Sequence, residues 1–158
     1  MIISQQWLKF FLAGFGSGWP RFAPGTWGSI AAWIIGISLL LTAHTIILLS
    51  LFILLIPLAC WATYHYLPTD EHNDPGWIVI DEWLGQWLCM LIPSYLFEPN
   101  IIWLFACLIA FRILDIFKPW PISWAESYGP AWWSIHADDL LAGLFGGFMV
   151  FLGWLYAS

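Results

Sequence analysis

The sequence predicts an all-α fold: a polytopic membrane helix bundle with about four to five transmembrane helices and an N-terminal interfacial segment. Of the 158 residues, 61% are hydrophobic and only 9% are charged, a composition far outside the range of soluble domains. The 14 tryptophans suit aromatic belts at two membrane surfaces, where an indole ring finds both apolar and aqueous neighbours. With this length and no internal repeat, we expect one domain that covers residues 1–158.

The predicted elements follow one another with short connections. Residues 1–19 lack the basic start and cleavage site of a secretory signal, so we expect them to be retained and to lie along the membrane surface. Five apolar stretches follow, each close to the ~20 residues that a helix needs to cross a bilayer. They are 26–42, 45–66, 77–97, 100–118 and 138–157. Loop signals rich in proline, glycine and polar residues lie at 20–25, 68–76, 98–100 and 119–130. Because only residues 43 and 44 separate the first two stretches, these form either two crossings or a hairpin that does not fully cross.

Alternating the five stretches across a membrane gathers the charged side chains at one face. The acids placed there are Asp81, Glu82, Asp115, Asp138 and Asp139, with Asp70, Glu71 and Asp74 beside His72 in the second loop. The four cations, Lys9, Arg21, Arg112 and Lys118, fall on the same face. Since lysine and arginine favour the cytoplasmic side of a membrane, we expect this face to be cytoplasmic.

The acids are too costly to leave unpaired in lipid, at about 2.5 to 3.5 kcal/mol for each charge at mid-bilayer. Helical spacing puts Asp81, Glu82 and Gly85 on one face of the third stretch. Asp139 shares a face of the last stretch with Gly143, and small residues let membrane helices approach closely. The acids therefore lie on faces that pack against other helices.

Two structural interpretations of the acids compete with a metal site. Acids near a helix N-terminus, as predicted for Asp138 and Asp139, are stabilised by the helix dipole. Arg112 and Lys118 can also form salt bridges with neighbouring acids. Neither explanation is sufficient, because the five acids outnumber these two cations. A hard divalent ion such as Mg²⁺, which binds carboxylates, water and substrate phosphate, supplies the missing positive charge.

The segment PGTWGS at 24–29 lies at the start of the first long stretch and is a candidate anion-binding site. Gly25 and Gly28 allow the backbone to expose its amides, and Thr26 or Ser29 can cap the helix that follows. An anion is favoured at such a helix start, and Arg21 is close in sequence. A plain helix cap explains the same residues and is the more common use of this pattern.

Charge and cysteine content exclude other functions. A net charge of −6 with few cations argues against a nucleic-acid partner, because phosphate backbones need a basic surface. Cys60, Cys89 and Cys107 lie in apolar runs and are interpreted as small hydrophobic residues. Cys107 and Arg112 fall one residue short of the CxxxxxR spacing of cysteine phosphatases. The sequence predicts no particular oligomeric state.

Four motifs occur in a fixed order along the chain. They are PGTWGS at 24–29, DPGWIVIDEWLG at 74–85, FRILDIFKPWPI at 111–122 and ADDLLAG at 137–143. Together they resemble the bacterial phosphatidylglycerophosphatase A family. This resemblance implies a small inner-membrane, Mg²⁺-dependent lipid phosphatase that converts phosphatidylglycerophosphate to phosphatidylglycerol, with the acyl chains of its phospholipid substrate remaining in the bilayer.

The resemblance also implies which residues form the site. The acidic members are Asp81, Glu82, Asp115, Asp138 and Asp139, and the basic members are Arg112 and Lys118. Our hypothesis places Mg²⁺ among Asp81, Glu82, Asp138 and Asp139. Arg112, Lys118, Thr26 and Ser29 would contact the phosphate, and Asp115 would orient Lys118 or share the metal. The nucleophile, water or an aspartate, is left open.

One segment departs from the family pattern. Residues 129–136 read GPAWWSIH where the family has a glycine-rich turn, and His136 is expected to lie at the surface. A catalytically impaired family member is therefore one alternative. A small ion transporter or channel subunit is another, because intramembrane acids mark ion pathways. The opposite face holds only Glu98, however, and the missing internal repeat also argues against a transporter.

Overall fold

The computed structural model describes residues 4–42, 44–67 and 75–157. Within these residues the chain forms seven helices and no strand, which confirms the predicted all-α bundle. The helices are α1 Gln5–Leu12, α2 Pro24–Thr42, α3 Thr45–Tyr66, α4 Ile80–Leu96, α5 Ile101–Phe117, α6 Ile122–Glu126 and α7 Ala131–Ala157.

Most helix boundaries follow the predicted stretches. α3 covers its predicted range, and α2 begins at Pro24 because proline suits the first turn of a helix. α5 begins after Asn100, whose side-chain oxygen accepts a hydrogen bond from the Ile102 amide at 2.9 Å. The acidic part of the predicted second loop, residues 68–74, lies outside the described residues.

The last helix differs most from its prediction. It begins at Ala131 rather than at residue 138, because no proline or glycine interrupts the chain after Pro130. Asp138 and Asp139 consequently lie inside the helix, and their interpretation as helix N-terminal residues is wrong. The loop predicted at 119–130 also contains a short helix, α6.

Three of the described helices, α2, α3 and α7, are long and apolar enough to cross a membrane by length and composition. Since α2 and α3 each meet this criterion, two crossings are favoured over a shallow hairpin. α4 and α5 contain 17 residues each. At 1.5 Å per residue they extend about 25 Å, slightly less than the ~30 Å hydrocarbon core of a bilayer. Crossing by these two helices stays a prediction.

α4 occupies the centre of the bundle and packs against α2, α3, α5 and α7. Its closest approach is to α7. A Cβ added to Gly143 would lie 2.2 Å from the carbonyl oxygen of Gly85, and one added to Gly85 would lie 2.6 Å from that of Asp139. Only glycine lets two helix backbones come this close. The small-residue face of α7 is therefore the face that contacts α4.

Hydrogen bonds between helices complete the interior. The Cys89 thiol donates to the Cys107 carbonyl at 3.4 Å, and the Cys107 thiol donates to the Cys89 carbonyl at 3.5 Å. The Trp87 indole donates to the Ala32 carbonyl at 2.9 Å. These contacts join α4 to α5 and to α2. They also show Cys89 and Cys107 as buried packing residues.

α1 lies against α3 at the N-terminal side of the bundle. Leu8 and Leu12 are buried, whereas Trp7 is 68% exposed and Lys9 is also exposed. The Lys9 ammonium lies 5.3 Å from the centre of the Trp77 ring. A short helix with one apolar face and one face of tryptophan and lysine suits the predicted interfacial segment.

Candidate active site

The crossing of α4 and α7 brings three carboxylates together near one end of the bundle. Asp81 and Glu82 lie in the first turn of α4, and Asp139 precedes Gly143 by one turn on α7. One carboxylate oxygen of each acid lies within 4.8 Å of the others. Asp81 and Asp139 are each only 4% exposed. We call Asp81, Glu82 and Asp139 the acid cluster.

Gly25 makes room for the acid cluster at the start of α2. A Cβ added to Gly25 would lie 2.1 Å from Oε1 of Glu82, so any larger residue would compete with that carboxylate for space. The other oxygen of Glu82, Oε2, is buried and makes no hydrogen bond to a described residue. The first turn of α2 thus borders the cluster directly.

Arg112 joins α5 to the same end of α2. Its Nη1 donates to Asp115 Oδ2 at 2.5 Å and to the Ser29 hydroxyl at 3.2 Å. Its Nη2 donates to the Thr26 hydroxyl at 3.3 Å. The Ser29 hydroxyl in turn donates to the Gly25 carbonyl at 2.8 Å. The structure thus brings together three of the four residues predicted to contact phosphate.

Asp115 connects Arg112 to the acid cluster. Its carboxylate forms an ion pair with Arg112 on the same helix, α5. It also interacts with the carboxyl group of Asp139 on α7. Glu82 interacts with Asp139 as well. Four of the five predicted acids therefore lie in one continuous group, which spans α4, α5 and α7.

Lys118 and Asp138 form a separate pair beside this group. Lys118 Nζ lies 2.7 Å from Asp138 Oδ2 and 2.7 Å from Glu126 Oε1 on α6. Burial disfavours the ammonium, but the two carboxylates outweigh that effect and raise the pKa of Lys118 above its ordinary value. Asp138 was predicted as a metal ligand but does not belong to the acid cluster. Consecutive residues on a helix project about 100° apart, so Asp138 and Asp139 face different neighbours.

The acid cluster fits a hard divalent cation. All its donors are carboxylate oxygens, which Mg²⁺ prefers. The buried, unpartnered Oε2 of Glu82 leaves one donor available, and the absent side chain at Gly25 leaves space beside it. The two cations expected near the acids already have other partners. Arg112 pairs with Asp115, and Lys118 pairs with Asp138 and Glu126. The group can therefore bind a metal ion.

His136 does not lie at the surface, and that prediction is wrong. The side chain is fully buried, and its Nε2 lies 3.0 Å from the Thr63 hydroxyl on α3. The reason is the early start of α7, which turns residues 131–137 into helix and directs His136 into the bundle. The hydrogen bond between His136 and Thr63 links α7 to α3.

A family model described as phosphatidylglycerophosphatase A matches residues 10–154, nearly the whole chain. The chain belongs to the phosphatidylglycerophosphatase A family. The resemblance predicted from the four motifs is thereby confirmed.

Curated relatives agree with this membership. A Haemophilus influenzae protein named phosphatidylglycerophosphatase A is 35% identical over 145 residues, which cover 91% of this chain and 86% of that protein. An Escherichia coli protein of the same name is 34% identical over 154 residues, with 96% and 86% covered. A Bacteroides thetaiotaomicron relative, with a provisional name as a phosphatidylinositol-3-phosphatase, is 33% identical over 144 residues, and 87% of each chain is covered. No solved structure matches the chain.

The sequence analysis missed the contacts of two residues in this phosphatidylglycerophosphatase A family member, Glu126 and Gly25. Glu126 contacts Lys118, but it lies in a segment whose prolines and glycine predicted only a loop. Gly25 was interpreted through its backbone amide, whereas its contact with Glu82 depends on the missing side chain. In the sequence, the available indication that another side chain packs against Gly25 was its position directly after Pro24, the first residue of α2.

Proposed function

We propose that this chain is a Mg²⁺-dependent lipid phosphatase that hydrolyses phosphatidylglycerophosphate to phosphatidylglycerol and phosphate. The observation that carries the proposal is the acid cluster with the Arg112–Asp115 pair beside it. Cleavage of a phosphate monoester depends mainly on positioning and charge neutralisation, for which carboxylates, a cation and an arginine are suited. The names of the Haemophilus influenzae and Escherichia coli relatives support this substrate.

Asp81, Glu82 and Asp139 would hold the metal ion. We assign Mg²⁺ because each donor is a hard oxygen and because phosphate and water complete its preferred coordination. When bound, the ion supplies Lewis-acid chemistry and neutralises negative charge on the phosphate. We assign Asp138 to Lys118 rather than to the metal, because Asp138 pairs with Lys118 and is not among the acids whose oxygens lie within 4.8 Å of one another.

Arg112 would bind the phosphate oxygens that do not take part in the ester bond. Asp115 on one side and the hydroxyls of Thr26 and Ser29 on the other fix the guanidinium before substrate arrives. A donor that is already oriented stabilises developing charge without reorganisation during the reaction. In the overall reaction the ester P–O bond breaks, an oxygen atom from water ends on phosphorus, and a proton ends on the lipid hydroxyl.

The site would lie at the cytoplasmic face of the bacterial inner membrane. Beyond Asp139, α7 continues to Ala157. That part of the helix is roughly 27 Å long, close to the hydrocarbon thickness of a bilayer, which favours Asp139 at the membrane surface. The described cations Lys9, Arg21, Arg112 and Lys118 favour the cytoplasmic side. A phosphorylated headgroup at the membrane surface could then reach the acids.

The test is phosphate release by the purified protein in detergent, with and without a chelator. We expect release from phosphatidylglycerophosphate to stop with chelator and to return with Mg²⁺. Asp139→Asn should abolish it, whereas Glu98→Gln, an exposed acid between α4 and α5, should leave it unchanged. Chelator-resistant release, or full activity in folded Asp139→Asn, would remove the metal-dependent mechanism.

Substrate identity needs its own comparison. The relative from Bacteroides thetaiotaomicron makes phosphatidylinositol 3-phosphate the informative competitor. We expect a higher kcat/KM for phosphatidylglycerophosphate in matched micelles. The reverse ranking would keep the phosphatase chemistry but overturn the proposed substrate.

A further inference from the structure

An apolar groove runs along the outside of the bundle between α4, α6 and α7. Its volume is about 440 Å³, and its lining contains no charged side chain. Trp124 and Tyr128 of the α6 region line it and stack with ring centres 4.6 Å apart. Both rings are more than half exposed. The groove is therefore open to the surroundings of the bundle and offers only apolar contacts along most of its length.

Two residues that line the groove directly precede residues of the candidate active site. Ala137 lines the groove and directly precedes Asp138, which is bound to Lys118. On the other wall, the groove residue Ala125 directly precedes Glu126, the second carboxylate at Lys118. Lys118 thus joins the two segments, α6 and α7, that carry these groove residues.

From that point the groove extends away from the acids along two helices. Ala137, Leu141 and Leu144 form one stripe on α7, and this stripe is about 10 Å long at 1.5 Å per residue. Leu88 supplies the facing wall from α4. α4 and α7 run in the same direction, since Glu82 lies near Asp139 and Gly85 lies against Gly143. Leu88 and Leu144 both follow these residues along their helices, so this part of the lining lies on the side away from the first turn of α4.

We propose that this groove holds one acyl chain of the phospholipid substrate and thereby sets the position of the headgroup at the acid cluster. The inference rests on the proposed lipid phosphatase activity. Charged site residues next to its lining residues, an exposed aromatic pair and an apolar groove on the outside of the bundle match the headgroup, glycerol backbone and chain of one phospholipid. A second surface cavity, of about 560 Å³, lies near α1, and its lining residues Lys9, Trp19 and Trp77 do not directly adjoin any of the site acids in the sequence.

The groove acts on orientation more than on affinity. An acyl chain that leaves the bilayer for the groove exchanges one apolar environment for another, so the hydrophobic effect contributes little to binding. Holding the chain instead restricts the depth and rotation of the phosphate, and such restriction lowers the barrier of a reaction that depends on alignment. Filling the groove should therefore reduce kcat and leave KM nearly constant.

The first test fills the groove with a larger side chain and compares two chain lengths. Leu144→Trp and Leu88→Trp are expected to lower kcat on dipalmitoyl phosphatidylglycerophosphate about tenfold, with a change in KM below about twofold, through lost alignment. The dihexanoyl substrate, whose chains are too short to follow the groove, should be affected much less. Leu152→Trp is the matched control, because Leu152 is 59% exposed on the same helix and does not line the groove. Equal loss on both substrates, or no loss on either, would overturn the proposal.

The second test uses the unmodified protein and so does not depend on how the variants fold. Phosphatidylglycerol that carries a diazirine in one acyl chain is photolysed with the protein in vesicles, and the labelled peptides are mapped. We expect labelling concentrated in residues 124–144 and at Leu88, and reduced by unlabelled phosphatidylglycerophosphate. Uniform labelling of the exposed faces of α2, α3 and α7 would mean ordinary boundary lipid and would overturn the groove. If the unmodified protein hydrolyses neither substrate, the proposed function fails, while the labelling pattern still tests the groove.

Discussion

Gly85 and Gly143 bring α4 and α7 so close that a Cβ on Gly143 would lie 2.2 Å from the Gly85 carbonyl oxygen. This crossing lies one turn beyond Glu82 and Asp139 along their helices. The distance between the acids of the two helices is therefore set by two residues without side chains. The acid cluster depends on helix packing rather than on a loop.

Gly143→Ala is expected to destabilise the protein and to separate the acid cluster. The added methyl would meet backbone atoms, which cannot move aside as a side chain can, and overpacking of this kind costs about 1–3 kcal/mol. Thermal unfolding in detergent measures the loss, and phosphate release should fall with it. Gly153→Ala is the matched control on the same helix, because a Cβ there meets nothing within 4 Å. Equal melting temperatures for the two variants would contradict the tight crossing.

Gly25→Ala is expected to preserve the fold but to weaken metal binding. Its Cβ would lie 2.1 Å from Glu82 Oε1, and that atom is the end of a side chain that can turn away. A displaced ligand should raise the Mg²⁺ concentration for half-maximal activity about ten- to a hundredfold, the range seen when groups that orient metal ligands are altered. Gly76→Ala, with open space around its Cβ, provides the control. An unchanged Mg²⁺ requirement would argue against Glu82 as a ligand.

Arg112→Lys is expected to lower kcat about a hundred- to a thousandfold, the loss typical of removing one oriented donor to a developing negative charge. A lysine keeps the charge but cannot contact Asp115, Thr26 and Ser29 at once, as the guanidinium does. Steady-state kinetics on phosphatidylglycerophosphate separates kcat from KM. The exposed Arg21→Lys should behave as the unmodified protein. Comparable kcat for Arg112→Lys and the unmodified protein would show that charge alone is required.

Thr63→Val is expected to lower stability without lowering kcat. It removes the hydroxyl that lies 3.0 Å from the buried His136 nitrogen, and an unsatisfied buried polar group costs about 1–3 kcal/mol. Because this contact joins α7 to α3, the acid cluster should keep its geometry. Melting temperature and kcat measured on the same preparation test both parts. A large fall in kcat at a temperature where the variant is folded would assign His136 a part in the reaction.

Most of the fold followed from apolar runs and helix-terminating residues. The range of α3 was predicted from its apolar run alone, and the packing face of Asp139 and Gly143 from helical spacing. The start of α7 was missed because 119–130 is rich in proline and polar residues and tryptophans follow it. One error in a helix boundary then placed His136 at the surface.

The partner of each acid within the site was harder to predict than the fold. Sequence spacing places Asp138 and Asp139 side by side but does not indicate which helix each one faces. That depends on where α5 ends and where α6 packs, and these contacts decide that Asp138 meets Lys118 and Asp139 meets the acid cluster. Long-range contacts of this kind leave little trace in a local pattern.

The described end of the bundle opposite the acids carries none of the residues assigned to chemistry. Phe97, Glu98 and Pro99 connect α4 to α5 there, and Asn100 caps the helix that follows. A protein of 18.1 kDa is small for electron cryomicroscopy. A rigid soluble fiducial inserted between Glu98 and Pro99 would add the mass needed for particle alignment, and it would leave the catalytic end and the Asn100 cap intact.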